Sequence, residues 1–212
     1  MHVGLLNVQG KKMSKSLGNF ITIKDFLKKH SPDALRLIVT AHHYRSPIDY
    51  TGKLIASAQS SLNAIQEFLL KLDLREKSKV KSKNGKTIDL SGYEEKFLKS
   101  LAHDFNTPKA LAAIFDLINV LNPKIWLVDG KTAGSVKNWI KDKLQIFGIK
   151  IAAAKIPEKI RAFASKRELL RSNEQFIEAD VLRKQIESLG YKMEDTPLGP
   201  LVLKDQKIES RK

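Results

Sequence analysis

The chain has 212 residues, enough to bury a sizeable hydrophobic core in one large or two small domains. With 42% apolar and 29% charged residues it has a globular composition, and its formal charge of +15 draws it toward polyanions, nucleic acid first among them. The absence of cysteine excludes disulfides and thiolate metal sites; no apolar run approaches the roughly 18 residues of a bilayer-spanning helix, and no signal peptide or lipidation motif is recognisable, so a cytoplasmic location is expected.

Val3, Leu5, Leu6 and Val8 alternate in part and predict a short buried strand, with no nearby segment to pair with it. It feeds Lys11-Lys12-Met13-Ser14-Lys15-Ser16-Leu17-Gly18-Asn19, where three lysines and two serine hydroxyls crowd together and Gly18 lets the backbone turn tightly. Such a loop suits a polyphosphate. A lysine on a flexible stem can follow a phosphate as negative charge develops, so its gain is larger in the transition state than in the ground state. The rival reading is a solvated basic turn before a strand.

Phe20-Ile21-Thr22-Ile23 reads as a second β-like run, and Thr22 with Asp25 can cap a helix over residues 24–29. Ser31-Pro32-Asp33 opens the next helix, with Ser31 as cap, Pro32 at the first helical position and Asp33 in the first turn; Pro47 ends that segment. Leu54, Ala58, Leu62, Ile65, Leu69 and Leu72 then form one apolar stripe. Residues 77–86 hold five lysines and no acid, the composition of a solvated loop, with contact to RNA phosphates as the minority reading. Helices resume at 93–102, after Asn106-Thr107-Pro108, and along Val136, Trp139, Ile140, Leu144 and Phe147 up to Gly148. Four such helices with modest connections predict a bundle. Beyond residue 150, two helices (157–173, and 174–189 with Phe176, Ala179, Leu182, Ile186 and Leu189 inward) precede two short strands around Thr196-Pro197-Leu198-Gly199-Pro200.

Several of these segments carry a resemblance. The lysine loop resembles the KMSKS loop of class I aminoacyl-tRNA synthetases, and Ser31-Pro32-Asp33-Ala34-Leu35-Arg36 resembles their DALR signature. His43-Tyr44-Arg45-Ser46-Pro47, Asp104-Phe105-Asn106-Thr107-Pro108 and Glu194-Asp195-Thr196-Pro197 complete a set similar to the cysteinyl-tRNA synthetases, from residue 1 to about 200. The resemblance implies a mainly α fold: the tail of a catalytic domain with its lysine loop at 1–19, a stem-contact fold at 20–50, a helical bundle of the DALR type at 51–148, a small C-terminal anticodon-binding α/β hairpin unit at 149–204, and a tail at 205–212. The Rossmann core, the H-x-G-H signature and the zinc ligands of the family are expected upstream of the lysine loop. His2-Val3-Gly4-Leu5 imitates that signature but lacks its second histidine. The chain is therefore expected to be a fragment, an incomplete gene product or one part of a split enzyme.

For function, the resemblance implies ATP, with magnesium, as the nucleotide and tRNA(Cys) as the partner, and a separate N-terminal catalytic half is a further candidate partner. Lys12 and Lys15 would act on the transferring phosphate, within a nucleotide-binding set of Lys12, Met13, Ser14, Lys15 and Ser16. No metal ligand is expected in this chain, zinc belonging only to the part outside it. Arg171, Phe176, Asp180 and Asp195 are the expected anticodon contacts, because unstacked bases are read by aromatics and by charged edges. Three of them have a plainer alternative: Phe176 as core, Asp180 in a surface pair with Arg183, Asp195 as a turn residue. Gly199-Pro200-Leu201-Val202-Leu203-Lys204 departs from the Gly-Thr and Trp-Arg pattern of the family, which bears on the strength of the anticodon contacts. Taken alone, the chain is expected to be an inactive monomer. The competing functions are a stand-alone, non-catalytic RNA-binding module, a cysteine ligase of the mycothiol pathway, and a helical protein-interaction domain with a basic surface.

Overall fold

The computed structural model describes residues 2–78, 87–151 and 156–205. Among them are eight α-helices and two small sheets, a mainly helical fold. Of the lysine-rich tract at 77–86, residues 79–86 lie outside the described residues.

Strand β1 (Leu6–Val8) turns back into β2 (Lys11–Lys12) through Gln9 and Gly10, both at positive φ (52° and 77°), as a two-residue type I′ hairpin requires. β1 also pairs in parallel with β3 (Ile48–Tyr50), Leu6 opposite Ile48 and Val8 opposite Tyr50. The expectation of a strand without a partner is corrected: the partner returns only after two helices, a long-range pairing that local patterns do not reveal. Nor is the segment buried, since Val3, Leu5 and Leu6 are exposed.

Between these strands lie α1 (Ile23–Leu27) and α2 (Pro32–Thr40). The Thr22 hydroxyl accepts from the Asp25 amide at 3.0 Å and donates to its carboxylate at 2.6 Å. Residues 20–22 are therefore the lead-in to a helix cap rather than a strand. The Ser31 hydroxyl accepts from the Ala34 amide at 3.2 Å, with Pro32 at the first helical position.

Helices α3 (Gly52–Lys77), α4 (Ser91–Ala102), α5 (Thr107–Leu121) and α6 (Gly130–Ile146) share the main core. Ala58, Leu62, Ile65, Leu69 and Leu72 of α3 are buried with Leu111, Ile114 and Leu121 of α5 and Val136, Ile140 and Leu144 of α6. Each large side chain buried there contributes about 1.5–3 kcal/mol. Asn106 caps α5 by accepting from the Lys109 amide (3.1 Å), and Asp129 caps α6 by accepting from the Thr132 amide (2.6 Å).

A 3₁₀ segment (Asn122–Leu127) continues α5. The combined stretch Thr107–Leu127 is long and apolar enough to cross a membrane by composition, which corrects the sequence reading that no run approaches that length. Its apolarity serves the core, where Ile114, Leu117, Leu121 and Ile125 are fully buried.

These elements lie in the first of two compact units, which runs to Ile151. The second carries α7 (Glu158–Ser172), α8 (Phe176–Ser188) and the antiparallel hairpin of β4 (Tyr191–Thr196) and β5 (Gly199–Lys204). Its small core is Ile160, Ala164, Ile186 and Met193, with Ala179, Leu182, Leu201 and Leu203 also buried. Phe176 and Leu189, expected to face inward, are exposed; the inner stripe of α8 is confined to Ala179, Leu182 and Ile186, and the two outliers sit at or beyond the helix ends.

Candidate phosphate loop and RNA-facing residues

The lysine loop is a small closed structure held from within. Its start is pinned by the Met13 amide, which donates to the Leu6 carbonyl at 3.0 Å. Asn19 then bridges the two ends: its Nδ2 donates to the Lys12 carbonyl (3.2 Å) and its Oδ1 accepts from the Ser14 amide (2.9 Å). The Ser14 hydroxyl lies 3.2 Å from that of Ser16 and accepts from the Leu17 amide at 3.3 Å. Gly18, at φ 67°, closes the turn by donating its amide to the Lys15 carbonyl (3.2 Å). A non-glycine residue would strain that backbone.

This frame leaves Lys12, Lys15 and Ser16 exposed, while Met13 and Ser14 are half-buried. The Lys15 ammonium stands 5.8 Å over the Phe20 ring, a weak cation–π contact that a phosphate can outcompete. Two exposed ammonium groups and the exposed Ser16 hydroxyl, whose bond to Ser14 is exchangeable, can donate to a chain of phosphate oxygens from one short loop. Asn19 is the residue whose role the sequence reading missed. Its place just after Gly18 carried the signal: a short amide side chain beyond a tight turn can bond back to its own loop.

The family-like segments at 43–47 and 104–108, far apart in sequence, meet in space. The Tyr44 hydroxyl donates to Asp104 Oδ1 at 2.6 Å, and Arg45 Nη1 lies 3.2 Å from Asp104 Oδ2. That hydrogen bond, aided by the positive charge of Arg45, holds the Asp104 carboxyl below its ordinary pKa; the same bond raises that of the Tyr44 phenol, against the opposing pull of Arg45. Beside them an apolar cleft of about 400 Å³ is lined by Val3, Leu6, Val39, Ile48 and Phe105, among others.

In the second unit, Asp195 on β4 takes a bidentate bond from Arg167 of α7, Nη1 to Oδ1 at 2.6 Å and Nη2 to Oδ2 at 3.2 Å, and Arg171 reaches the same carboxylate. The Arg167 hydrogen bond leads the causes that hold the Asp195 carboxyl below its usual range. Arg171 and Asp195 are thus brought together and bonded to each other. Arg167, absent from the sequence reading, is the buried member of the trio. Phe176 presents its ring to solvent at 57% exposure. Asp180 is exposed on α8, and Arg183 bonds Glu187 (3.1 Å) rather than Asp180. Among the described residues, no three His, Cys, Asp or Glu side chains are grouped to hold a metal ion.

Comparison with known proteins places these features in a family context. Residues 1–60 match the family model described as tRNA synthetases class I (C) catalytic domain, and residues 96–151 match the DALR domain. The chain is 34% identical to the cysteine–tRNA ligase of Thermococcus gammatolerans, over 94% of its own length and 45% of that protein's. It is 35% identical to the cysteine–tRNA ligase of Oceanobacillus iheyensis (94% and 44%) and 35% identical to that of Oenococcus oeni (96% and 45%). It therefore spans a little under half the length of these curated relatives. Among solved structures, the crystal structure of the ternary complex of Agrobacterium radiobacter K84 agnB2 LeuRS with tRNA and LeuAMS aligns with a TM-score of 0.57 at 23% identity, covering 69% of this chain and 20% of that one, a likeness of fold alone.

Proposed function

The chain belongs to the cysteine–tRNA ligase family, and from that premise we propose that it is the tRNA-facing part of such a ligase, binding the stem and anticodon of tRNA(Cys) and supplying the lysine loop for cysteine activation. The observation that carries the reading is the match of 94% of the chain to relatives named cysteine–tRNA ligases, together with the synthetase family model over residues 1–60, which include the exposed lysine loop. In the reaction, the cysteine carboxylate attacks the α-phosphorus of ATP, pyrophosphate leaves, and the cysteinyl group of the adenylate passes to the tRNA 3′ end.

Lys12 and Lys15 stabilise the charge that builds on the leaving phosphates, and Ser14 and Ser16 offer hydroxyls to the same oxygens. The Met13 backbone lies against the adenine. Magnesium is carried on the ATP phosphates, and zinc belongs to the catalytic part of the ligase outside this chain. The loop opens and closes on the nucleotide, a motion for which long lysine stems are suited. The partner for the activity is a catalytic half, and the exposed apolar side chains Val3, Leu5, Leu6 and Phe105 around the cleft are the surface we assign to it. In the second unit, Phe176 stacks on an anticodon base while Asp180 and the Arg171–Asp195 pair read base edges. The protein acts in the cytoplasm as a monomer.

The test is cysteine-dependent exchange of pyrophosphate into ATP. On this reading the 212-residue chain alone gives none, because the sites for the nucleoside and the amino acid are assigned to the catalytic half; robust exchange by the chain alone would overturn the division of labour proposed here.

A further inference from the structure

The junction between α4 and α5 holds two consecutive non-glycine residues in the left-handed region, Asp104 at φ 56° and Phe105 at φ 49°. An aspartate tolerates that conformation; a bulky aromatic adopts it only when its surroundings impose it. Here they do. The Phe105 amide donates to the Leu101 carbonyl at 3.1 Å, and the Thr107 amide donates to the Phe105 carbonyl at 2.7 Å, so the strained turn is fastened on both sides.

From the loop after α2, three side chains close on Asp104. Tyr44 and Arg45 take its carboxylate, and His43 faces its backbone carbonyl with Nε2 at 3.2 Å. The Arg45 amide points at His43 Nδ1 (3.4 Å), which fixes Nδ1 as the acceptor and Nε2 as the donor. The His43 and Tyr44 rings stack at 4.7 Å, and Arg45 lies 5.3 Å over the Tyr44 ring.

The same loop grips the N-terminal strand. The Gly4 amide donates to the Tyr44 carbonyl at 2.7 Å, and a Cβ on Gly4 would sit 2.1 Å from the Ser46 carbonyl oxygen, so the two backbones are in direct contact. The Ile48 amide donates to the Leu5 carbonyl at 2.9 Å, and the next residue, Leu6, holds Met13 at the base of the lysine loop. A contiguous series of bonds thus runs from Asp104 through Tyr44 and Gly4 along β1 to Met13.

We propose that Asp104 is a positioning residue for the lysine loop: by clamping the 43–47 loop it fixes β1, and through β1 it fixes the height and orientation of Lys12 and Lys15. The assignment of a purpose to this linkage rests on the proposed role of the loop toward ATP, but the linkage itself is physical and can be measured without any nucleotide. A shift of the α4–α5 junction then moves the lysines, which gives the helical bundle a mechanical route to the phosphate-handling loop.

The experiment is residue-resolved amide hydrogen exchange on the whole chain, comparing Asp104→Ala, Asp104→Asn and Tyr44→Phe with Asp129→Ala, a cap on α6 that is not part of this series. Asp104→Ala accelerates exchange at Gly4, Ile48 and Met13 by about tenfold or more, Asp104→Asn and Tyr44→Phe by smaller factors, and Asp129→Ala leaves those three amides unchanged relative to the rest of its core. If Asp104→Ala does not fold, the Asn and Phe variants decide the matter. Wild-type protection at Gly4 and Met13 in the folded variants, or the same acceleration in Asp129→Ala, would overturn the proposal. Failure of the loop to bind ATP phosphates would count against the proposed function and leave the exchange result intact.

Discussion

Arg167 and Asp195 form a two-pronged ion pair between α7 and β4, with the arginine side chain only 3% exposed and the carboxylate 43% exposed. The arginine is the buried partner, so its removal takes away both a charge pair and the packing of its stem. Because Asp195 keeps contact with water, the loss is smaller than for a fully buried pair. Arg167→Ala is expected to cost about 2–3 kcal/mol, read as faster exchange of the β4 and β5 amides in the whole chain. Arg171→Ala, removing a partner that is 40% exposed, costs well under half as much.

The same pair sets a pH dependence. The folded-state pKa of Asp195 is depressed, chiefly by the hydrogen bond from Arg167, so its contribution is complete above the ordinary aspartate pKa of about 3.9. It is lost as pH falls through that value toward the lower folded-state one. Denaturant unfolding at about pH 6 and about pH 3 should therefore show the second unit weakening at the acid end. In Asp195→Asn the difference between the two pH values narrows, since the variant has no charge to lose.

Asn19 closes the lysine loop with two bonds to backbone, to Lys12 and Ser14. Asn19→Ala removes both and leaves the global fold intact, because the loop lies outside the core. Exchange at the Ser14 amide should rise by about tenfold, and binding of tripolyphosphate, used as a probe of the loop, should weaken while denaturant stability stays within about 0.5 kcal/mol.

Phe176 separates a binding role from a structural one. Its exposed ring buries little, so Phe176→Ala is expected to change stability by less than about 0.5 kcal/mol. If the ring stacks on an anticodon base, the same change weakens tRNA binding by about 1–3 kcal/mol. Titration of tRNA(Cys) with both proteins, beside their unfolding curves, checks the two numbers together.

Local chemistry accounts for what the sequence made legible. The caps at Thr22, Ser31 and Asn106, and the apolar stripes of α3, α5 and α6, depend on neighbours within four residues and were readable for that reason. The pairing of β1 with β3, the meeting of Tyr44 with Asp104 and the burial of Arg167 depend on partners that lie far along the chain, and no periodicity announces them. The motifs at 43–47 and 104–108 were visible as strings, but their purpose as two sides of one clasp needed the structure. The exposure of Phe176 follows from its position as the first residue of α8, which a stripe of i, i+3 spacing does not distinguish from an interior turn.

The central claim, that this chain grips tRNA(Cys) by phosphate contacts and reads its anticodon, is tested most directly by its affinity for tRNA(Cys) across a salt series, beside a transcript differing only in the anticodon. The account predicts a steep linear fall of log affinity with log salt, with a slope of about −3 or steeper for several neutralised phosphates, and weaker binding of the altered transcript. Affinity that ignores salt, or equal affinity for both transcripts, would contradict it.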